Sequence, residues 1–322
     1  MGLSKVFYQW SCHQRYGNMP IRPLRSSDFE SLYALYTALT ALMPHHLVVS
    51  EEQFTQELTT TRYQEDEFWD TDAHLALVAE RAGCIVAFAS ASFLRQDALY
   101  TDLKAGSGII RFLFATPEDG DALRTIVRII IDTAQVRACP DLQALGAYGP
   151  LFHNCGASGL SNAWPWVGRA LAQEGFETQG WPALSMYCPL DSVARLSLPL
   201  PQGATLRSDW VTRIGERDET EGGYHIFFGE DRAAESMWHF GEKYVRGAGN
   251  SHVHLFWLGT NTPYRGRGLG RILLRETLIR AQEAGARGSD LRCNINNFYA
   301  HALYRAEGYE PNDLLWSFKR SR

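Results

Sequence analysis

The chain carries one arrangement twice, and this duplication limits its possible folds more than any other feature. The matching segments are Thr-Pro at 116–117 and 262–263, Ala-Gln at 134–135 and 281–282, and the pentapeptides QEGFE at 173–177 and AEGYE at 306–310. The first two pairs are offset by 146 and 147 residues. A chain of 322 residues has room for two domains of about 100–200 residues each. We therefore interpret the sequence as a divergent tandem duplication.

Each half alternates strand patterns with helix patterns. Apolar runs around the turn ERAG predict a hairpin over 74–94, and apolar residues at helical spacing predict a helix after each Thr-Pro pair. Such alternation indicates an α/β fold, or α+β with a mixed sheet. Three prolines and a glycine over 189–206 predict a linker. The predicted organisation is listed in order: extension 1–18, first domain 19–190, linker 191–206 and second domain 207–322.

Composition excludes some function classes. The net charge of −5 argues against a nucleic-acid partner, because such proteins present a basic face. No apolar run approaches the roughly 20 residues of a membrane span, and no signal peptide is recognisable at the start. The six cysteines are scattered without a CxxC motif, which is typical of free thiols in a reducing compartment. We predict a cytoplasmic protein, a monomer or homodimer, without nucleic-acid or membrane partners.

A glycine-rich turn, here called the glycine loop (Arg265 to Gly270), stands between a predicted strand and a predicted helix. Glycines let the backbone adopt positive φ and approach a ligand closely. The first turn of a helix offers unpaired N–H groups and a partial positive charge. Together these features predict a phosphate or pyrophosphate site, to which Arg265, Arg267 and Arg271 add positive charge. The loop lacks the Gly-Lys-Ser/Thr of a Walker A motif, and position 271 breaks a GxGxxG dinucleotide pattern.

The spacing Arg265-x-x-Gly268-x-Gly270 resembles the pyrophosphate loop of the GNAT acyltransferase superfamily. A second segment about 30 residues on is similar to a later helix of that family. Its matching residues are Asn297, Ala300, Leu303, Tyr304, Gly308 and Tyr309. The resemblance covers about 250–322 strongly. It implies two tandem GNAT-like domains, each a mostly antiparallel sheet flanked by helices, with acetyl-CoA as co-substrate, no metal, and direct acyl transfer to an amine in a ternary complex.

The resemblance also implies roles for individual residues. In the family the strand before the loop splays from its neighbour, and its main chain binds the pantetheine arm and polarises the thioester carbonyl. The residues assigned to the co-substrate on this basis are Leu258, Gly259, Thr260, Arg265, Gly266, Arg267, Gly268, Leu269, Gly270, Arg271 and Asn297. Tyr304 takes the place of the general acid that protonates the thiolate. Asn297 has an alternative role as a simple helix cap.

The general base is the least determined part of the site. The strand before the loop carries His252 and His254 on one face, and His254 is our candidate. A structural histidine pair is an alternative. A metal site would need a third ligand at matching spacing, which the sequence lacks, so no metal is predicted. Glu230, Glu235 and His239 are further candidates that the sequence does not rank.

The first copy departs from the family pattern. Asp119 and Asp121 stand where the glycine loop belongs and would repel a pyrophosphate, and Leu171 replaces the tyrosine. We therefore expect a degenerate first domain, which acts as scaffold or as a wall of the acceptor pocket. The leading hypothesis is an N-acetyltransferase acting on a small amine. The alternative is a non-catalytic acyl-CoA sensor that retains the loop without turnover.

Overall fold

A computed structural model describes residues 19–44, 50–59, 71–96, 104–145, 159–190, 196–211, 219–241 and 252–321. The predicted extension 1–18 lies outside these ranges. The first half contains eight strands and four helices within them. In chain order they are β1 (Ile21–Pro23), α1 (Phe29–Thr40), α2 (Glu51–Thr59), β2 (Thr71–Arg81), β3 (Cys84–Leu94), β4 (Gly108–Ala115), α3 (Gly120–Val136), β5 (Asp141–Ala144), β6 (Leu160–Ser161), α4 (Pro165–Gln173), β7 (Glu177–Thr178) and β8 (Ala183–Pro189).

The second half begins with a run of strands, and its helices come later. Its elements are β9 (Ala204–Val211), β10 (Glu219–Phe228), β11 (Asp231–Gly241), β12 (His252–Thr260), α5 (Leu269–Glu283), β13 (Gly288–Asn294), α6 (Phe298–Ala306), β14 (Glu310–Trp316) and β15 (Phe318–Ser321). The predicted linker therefore gives way to β9 at Ala204, slightly earlier than 206. In the described residues before β12, this half has no counterpart of α1 and α2.

The strands form two mixed sheets. The first has the order β1-β2-β3-β4-β5-β15-β7, and the second has the order β6-β14-β8-β13-β12-β11-β10-β9. Each sheet contains one parallel pair, β4 with β5 and β12 with β13, in otherwise antiparallel pairing. This is the mixed α/β architecture that the alternation predicts.

The two sheets exchange strands. Strand β8 belongs to the first half of the chain but lies between β13 and β14 of the second sheet. Strand β15 closes the second half but lies between β5 and β7 of the first sheet. The final segment, which reads as one strand in the sequence, is thus divided at Ser317 into two strands of different sheets. The predicted domains 19–190 and 207–322 divide the sequence, while the hydrogen-bonded sheets cross that division.

Apolar side chains bury one face of the second sheet against α5 and α6. Val253 and Leu255 of β12 pack with Leu274 and Leu278 of α5 and with Tyr304 of α6. The hydroxyls of Ser236 on β11 and Thr277 on α5 lie 3.1 Å apart, which fixes the face of β11 that meets the helix. Because side chains alternate along a strand, the odd-numbered neighbours of Ser236 point to the opposite face.

Each copy joins its two later helices by one glutamate whose side chain is largely inaccessible. In the second copy Glu307 accepts Nε of Arg271 at 2.6 Å and Nε of Arg275 at 2.6 Å. In the first copy Glu174 accepts Nε of Arg124 at 2.5 Å and Nη2 of Arg128 at 2.6 Å. The two arginines of each clamp lie one helical turn apart, so both reach the same carboxylate. The glutamates are those of the repeated pentapeptides, and the duplication therefore extends to side-chain contacts.

Both clamp carboxyls stay ionised. Burial alone would raise the pKa of Glu307, but hydrogen bonds from Arg275 and Arg271 outweigh burial and hold that pKa below its ordinary value. The same balance, with Arg128 and Arg124, lowers the pKa of Glu174.

The exchange of strands predicts that the second half does not fold without β8. We expect a fragment of residues 200–322 to show no cooperative thermal unfolding by circular dichroism, because its β13 and β14 lack the strand between them. The fragment 183–322, which adds β8 and the linker, should gain strand content and a transition. A cooperative transition in 200–322 equal to that of the full chain would refute the requirement.

The clamps predict a specific loss of stability in acid. A pKa lowered by folding adds stability that is complete above the ordinary value of 4.5 and is lost as the pH falls through the folded-state pKa. We expect Glu307→Gln to lower the free energy of unfolding at pH 7 by about 2 kcal/mol, because two arginines lose their partner. Urea titrations across pH should show a shallower acid loss for the variant. Glu174→Gln is the matched variant, and an unchanged acid profile in both would contradict this account.

Candidate functional site

The glycine loop presents an open surface of main chain. Gly266 and Gly268 both have φ of +76°, a conformation that side chains strongly disfavour. A Cβ built on either residue would meet nothing within 4 Å, so the space above the loop is accessible to a ligand. Gly268 is also the N-cap residue of α5. The sequence prediction that glycine is needed here for positive φ is confirmed.

The loop also leaves its amides available. Within the described residues, the N–H groups from Gly266 to Gly270 have no protein acceptor, and no side chain caps α5. The helix is 15 residues long, so its aligned peptide dipoles add a partial positive charge at this end. Unpaired amides at a positive helix end form a site for an anion such as a phosphate.

The three loop arginines have different surroundings. Arg265 donates from Nε to the main-chain oxygen of Thr260 at 3.1 Å. Arg267 lies over the stacked rings of Phe228 and Tyr264, with its guanidinium 5.6 and 5.4 Å from the ring centres. Arg271 gives its Nε to the Glu307 clamp. Because the first copy has the same clamp without a glycine loop, we assign this bond of Arg271 to helix packing. A further contact of Arg271 with a phosphate stays a prediction.

The cleft beside the loop, defined as the opening between β12 and β13, begins where their pairing ends. The parallel pairing runs from His252 opposite Gly288 to Leu255 opposite Leu291. Beyond that point β12 continues to Thr260 and β13 continues to Asn294 without pairing to each other. This is the splayed geometry that the resemblance implied. A Cβ on Gly270 would be 3.6 Å from Leu303 and 3.7 Å from Thr260, so α5, α6 and the end of β12 meet at the mouth of the cleft.

The hydrogen-bond register decides which main-chain groups face the cleft. The amide of Asn261 donates to the oxygen of Ala233 on β11 at 2.9 Å. Antiparallel strands alternate bonded and non-bonded pairs, so Gly259 also bonds toward β11 while Leu258 and Thr260 point away from it. The amides and oxygens of Leu258 and Thr260 therefore face the cleft. This orientation fits the role that the sequence analysis assigned to the strand.

Gly259 has a different explanation from the one that the sequence suggested. The irregularity of β12 lies at Phe256, where the register with β11 shifts, and Gly259 pairs regularly with Glu235. A Cβ on Gly259 would stand 3.0 Å from Nε1 of Trp257. The glycine thus makes room for the indole ring, which lies across it.

Tyr304 of α6 lies in the buried core of the second sheet, near Cys293 in the part of β13 that does not pair with β12. The residue is 7% exposed. Burial, together with the nearby Cys293 thiol, raises the pKa of Tyr304 above its ordinary value. The phenol therefore keeps its proton at neutral pH. Asn297 caps α6, since its Oδ1 accepts the amide of Ala300 at 3.2 Å. The structure thus shows the capping role that the sequence left open, and contact of Asn297 with the co-substrate stays a prediction.

The two histidines of β12 share one carboxylate. Nδ1 of His254 lies 3.1 Å from Asp290, and Nε2 of His252 lies 3.5 Å from the other oxygen of that group. All three residues are buried, and the ring of His252 stacks on Tyr187. They lie where β12 and β13 are still paired, at the closed end of the cleft. This geometry favours the alternative of a structural histidine pair over His254 as the base. The sequence did not reveal Asp290, because its contact depends on the register of two strands.

The first copy differs from the second at the places that correspond to the glycine loop and the end of β12. Strands β4 and β5 pair in parallel over three residues, from Gly108 opposite Leu142 to Ile110 opposite Ala144. At the head of α3, however, Asp119 is buried and bonded to Thr116 and Arg81. The indole of Trp166 donates to the oxygen of Ala115 at 2.8 Å; Ala115 is the last residue of β4, as Thr260 is the last residue of β12. The Asp119 carboxylate at the start of α3 and the Trp166 indole at the end of β4 both oppose phosphate binding in the first copy.

Within the described ranges, no group of three or more histidine, cysteine or acidic residues has the arrangement of a metal site. No helix in the same ranges is long and apolar enough to cross a bilayer.

Comparison with known proteins identifies related domains and folds. Residues 206–309 match the model of the Acetyltransferase (GNAT) family. Comparison with curated protein sequences finds no match. Among solved structures, a tandem GNAT protein from the clavulanic acid biosynthesis pathway is 14% identical with a TM-score of 0.63, covering 94% of this chain and 98% of that one.

Two further structures have the same fold. A GCN5-related N-acetyltransferase from Sphaerobacter thermophilus is 15% identical with a TM-score of 0.60, covering 94% of this chain and 95% of that one. A GCN5-related glucosamine N-acetyltransferase region of a fungal multi-domain GH3 β-N-acetylglucosaminidase is 10% identical with a TM-score of 0.62. It covers 94% of this chain and 38% of that one. At these identities the likeness shows the fold alone.

Proposed function

We propose that the protein is an N-acyltransferase, because residues 206–309 match the GNAT acetyltransferase family model and the chain has the fold of tandem GNAT proteins. It would transfer an acyl group, acetyl in the first instance, from CoA to a small amine. Acyl-CoA supplies the activated acyl group for this reaction. The cytoplasmic location expected from the sequence is compatible with it and stays a prediction.

One observation carries the proposal. The unpaired amides from Gly266 to Gly270 surround open space at the positive end of α5, and the cleft begins directly beside them. A diphosphate bound at the loop would direct an attached chain along main-chain groups of Leu258 and Thr260. The residues present therefore fit a CoA ester, which combines a diphosphate with a long amide-containing arm.

Each candidate residue then has a defined task. The loop amides would hold the diphosphate, with Arg265 and Arg267 adding positive charge at its edge. The Leu258 amide faces the cleft, where a hydrogen bond can stabilise negative charge on a thioester oxygen. Tyr304, protonated at neutral pH, would pass a proton to the thiolate that leaves. These tasks require no covalent bond between the acyl group and the protein.

The first test concerns the loop. We expect Gly268→Glu to abolish the calorimetric heat of acetyl-CoA binding, because the new carboxylate would occupy the space above the amides. Gly203→Glu is the matched control, since Gly203 has φ of +79° and equally open surroundings but lies in the linker. Equal binding of acetyl-CoA by both variants and the wild type would contradict the proposal.

The second test separates an enzyme from a sensor. We expect Tyr304→Phe to lower kcat of thiol release by about 100-fold, the usual scale of general acid catalysis, with the Kd of acetyl-CoA unchanged. An amine panel with a thiol-release assay provides the measurement. A protein that binds acetyl-CoA tightly but releases no thiol with any amine would instead support the non-catalytic alternative.

A further inference from the structure

The face of the second sheet opposite α5 carries an exposed apolar group next to the cleft. Since Ser236 faces α5, its neighbours Glu235 and Met237 lie on the other face, as does Trp257 opposite Met237. Trp257 is 52% exposed, Phe256 39% and Met237 37%. Large side chains that remain exposed together at the edge of a cleft indicate a binding surface.

The indole of Trp257 is held in one position. Its Nε1 donates to Oε1 of Glu235 at 3.0 Å, and the ring lies across Gly259, which has no side chain to displace it. A tryptophan fixed in this way offers a rigid flat surface at little cost in conformational entropy.

Glu235 places a carboxylate beside that surface. Its Oε2 lies 3.1 Å from Nη1 of Arg232 and 3.8 Å from Nδ1 of His225. The Arg232 side chain is 55% exposed, and an ion pair at such a site is weak enough to rearrange when another cation approaches. A carboxylate next to an aromatic ring is a favourable environment for an ammonium group.

Glu235 lies on the strand next to the one that borders the cleft. Glu235 pairs directly with Gly259, and the flanking residues Leu258 and Thr260 turn their main-chain groups into the cleft. Gly259, which has no side chain, lies between the Glu235 carboxylate and the proposed position of the thioester. A molecule on the indole is therefore one strand away from the acyl group.

We propose that Trp257 and Glu235 form the acceptor site, and that the acceptor is a hydrophobic primary amine. Its ammonium would bind Glu235, and its apolar carbon skeleton would stack on the indole. This inference rests on the proposed function, because it places the acceptor beside that reaction centre.

The test measures amine binding directly, with and without saturating CoA. Phenethylamine and ethanolamine share an ammonium group but differ in the apolar group. We expect the wild type to bind phenethylamine at least about tenfold more tightly by calorimetry. Trp257→Ala should remove this preference, and Glu235→Gln should weaken both amines. Val136→Ala and Glu283→Gln remove an exposed apolar group and an exposed carboxylate elsewhere, and should leave both affinities unchanged.

These titrations distinguish a failure of the acceptor site from a failure of the proposed function. If the wild type binds the two amines equally, or if Trp257→Ala keeps the preference, the acceptor site is wrong even when acetyl-CoA binds. If CoA and acetyl-CoA produce no heat, the proposed function fails. A Trp257-dependent preference in the titration without CoA would then show an amine-binding surface and overturn its role as an acceptor site.

Discussion

The site depends on the point at which β12 leaves β13. Two parallel strands that separate leave main-chain N–H and C=O groups without partners, a costly arrangement unless a ligand or water supplies the hydrogen bonds. Here the separation follows Leu255 and Leu291, and the register with β11 turns the groups of Leu258 and Thr260 into the gap, where Nε of Arg265 already bonds the Thr260 oxygen. The glycine loop adds further unpaired amides at the mouth. The binding surface is thus mostly backbone, and the fold determines it more than any side chain does.

The duplication shows which parts of this arrangement are scaffold and which are specific. Both copies keep one parallel strand pair, the glutamate clamp and the inserted strand from the other half. The copies differ at the start of the helix after the Thr-Pro pair, where the second copy has glycines and the first has the buried Asp119. They also differ at the end of the strand before that helix, where the first copy has the indole of Trp166 bonded to Ala115. The exchange of β8 and β15 makes each sheet depend on the other half of the chain, so a copy without a binding loop still has a structural role.

Local patterns predicted the elements well, while long-range partners were not predictable. Periodicity and turn residues indicated the hairpin over 74–94, the helix after each Thr-Pro pair and the positive φ of the loop. The sequence could not show that β8 and β15 join the sheet of the other half. The alternation of apolar and polar residues along a strand indicates which face is buried, but it does not indicate which strands lie beside it. The same limit concealed the contact of His254 with Asp290 and the fit of Trp257 over Gly259. Each of these depends on pairing between distant segments.

The central claim, that main-chain amides at the head of α5 bind the diphosphate of a CoA ester, can be tested by NMR with selective ¹⁵N-glycine labelling. The labels report Gly266, Gly268 and Gly270 at the loop and Gly120 at the equivalent end of α3 in the same sample. We predict that acetyl-CoA shifts the three loop resonances and leaves Gly120 unchanged. Unchanged loop resonances at saturating acetyl-CoA, or a shift of Gly120 in their place, would contradict the account.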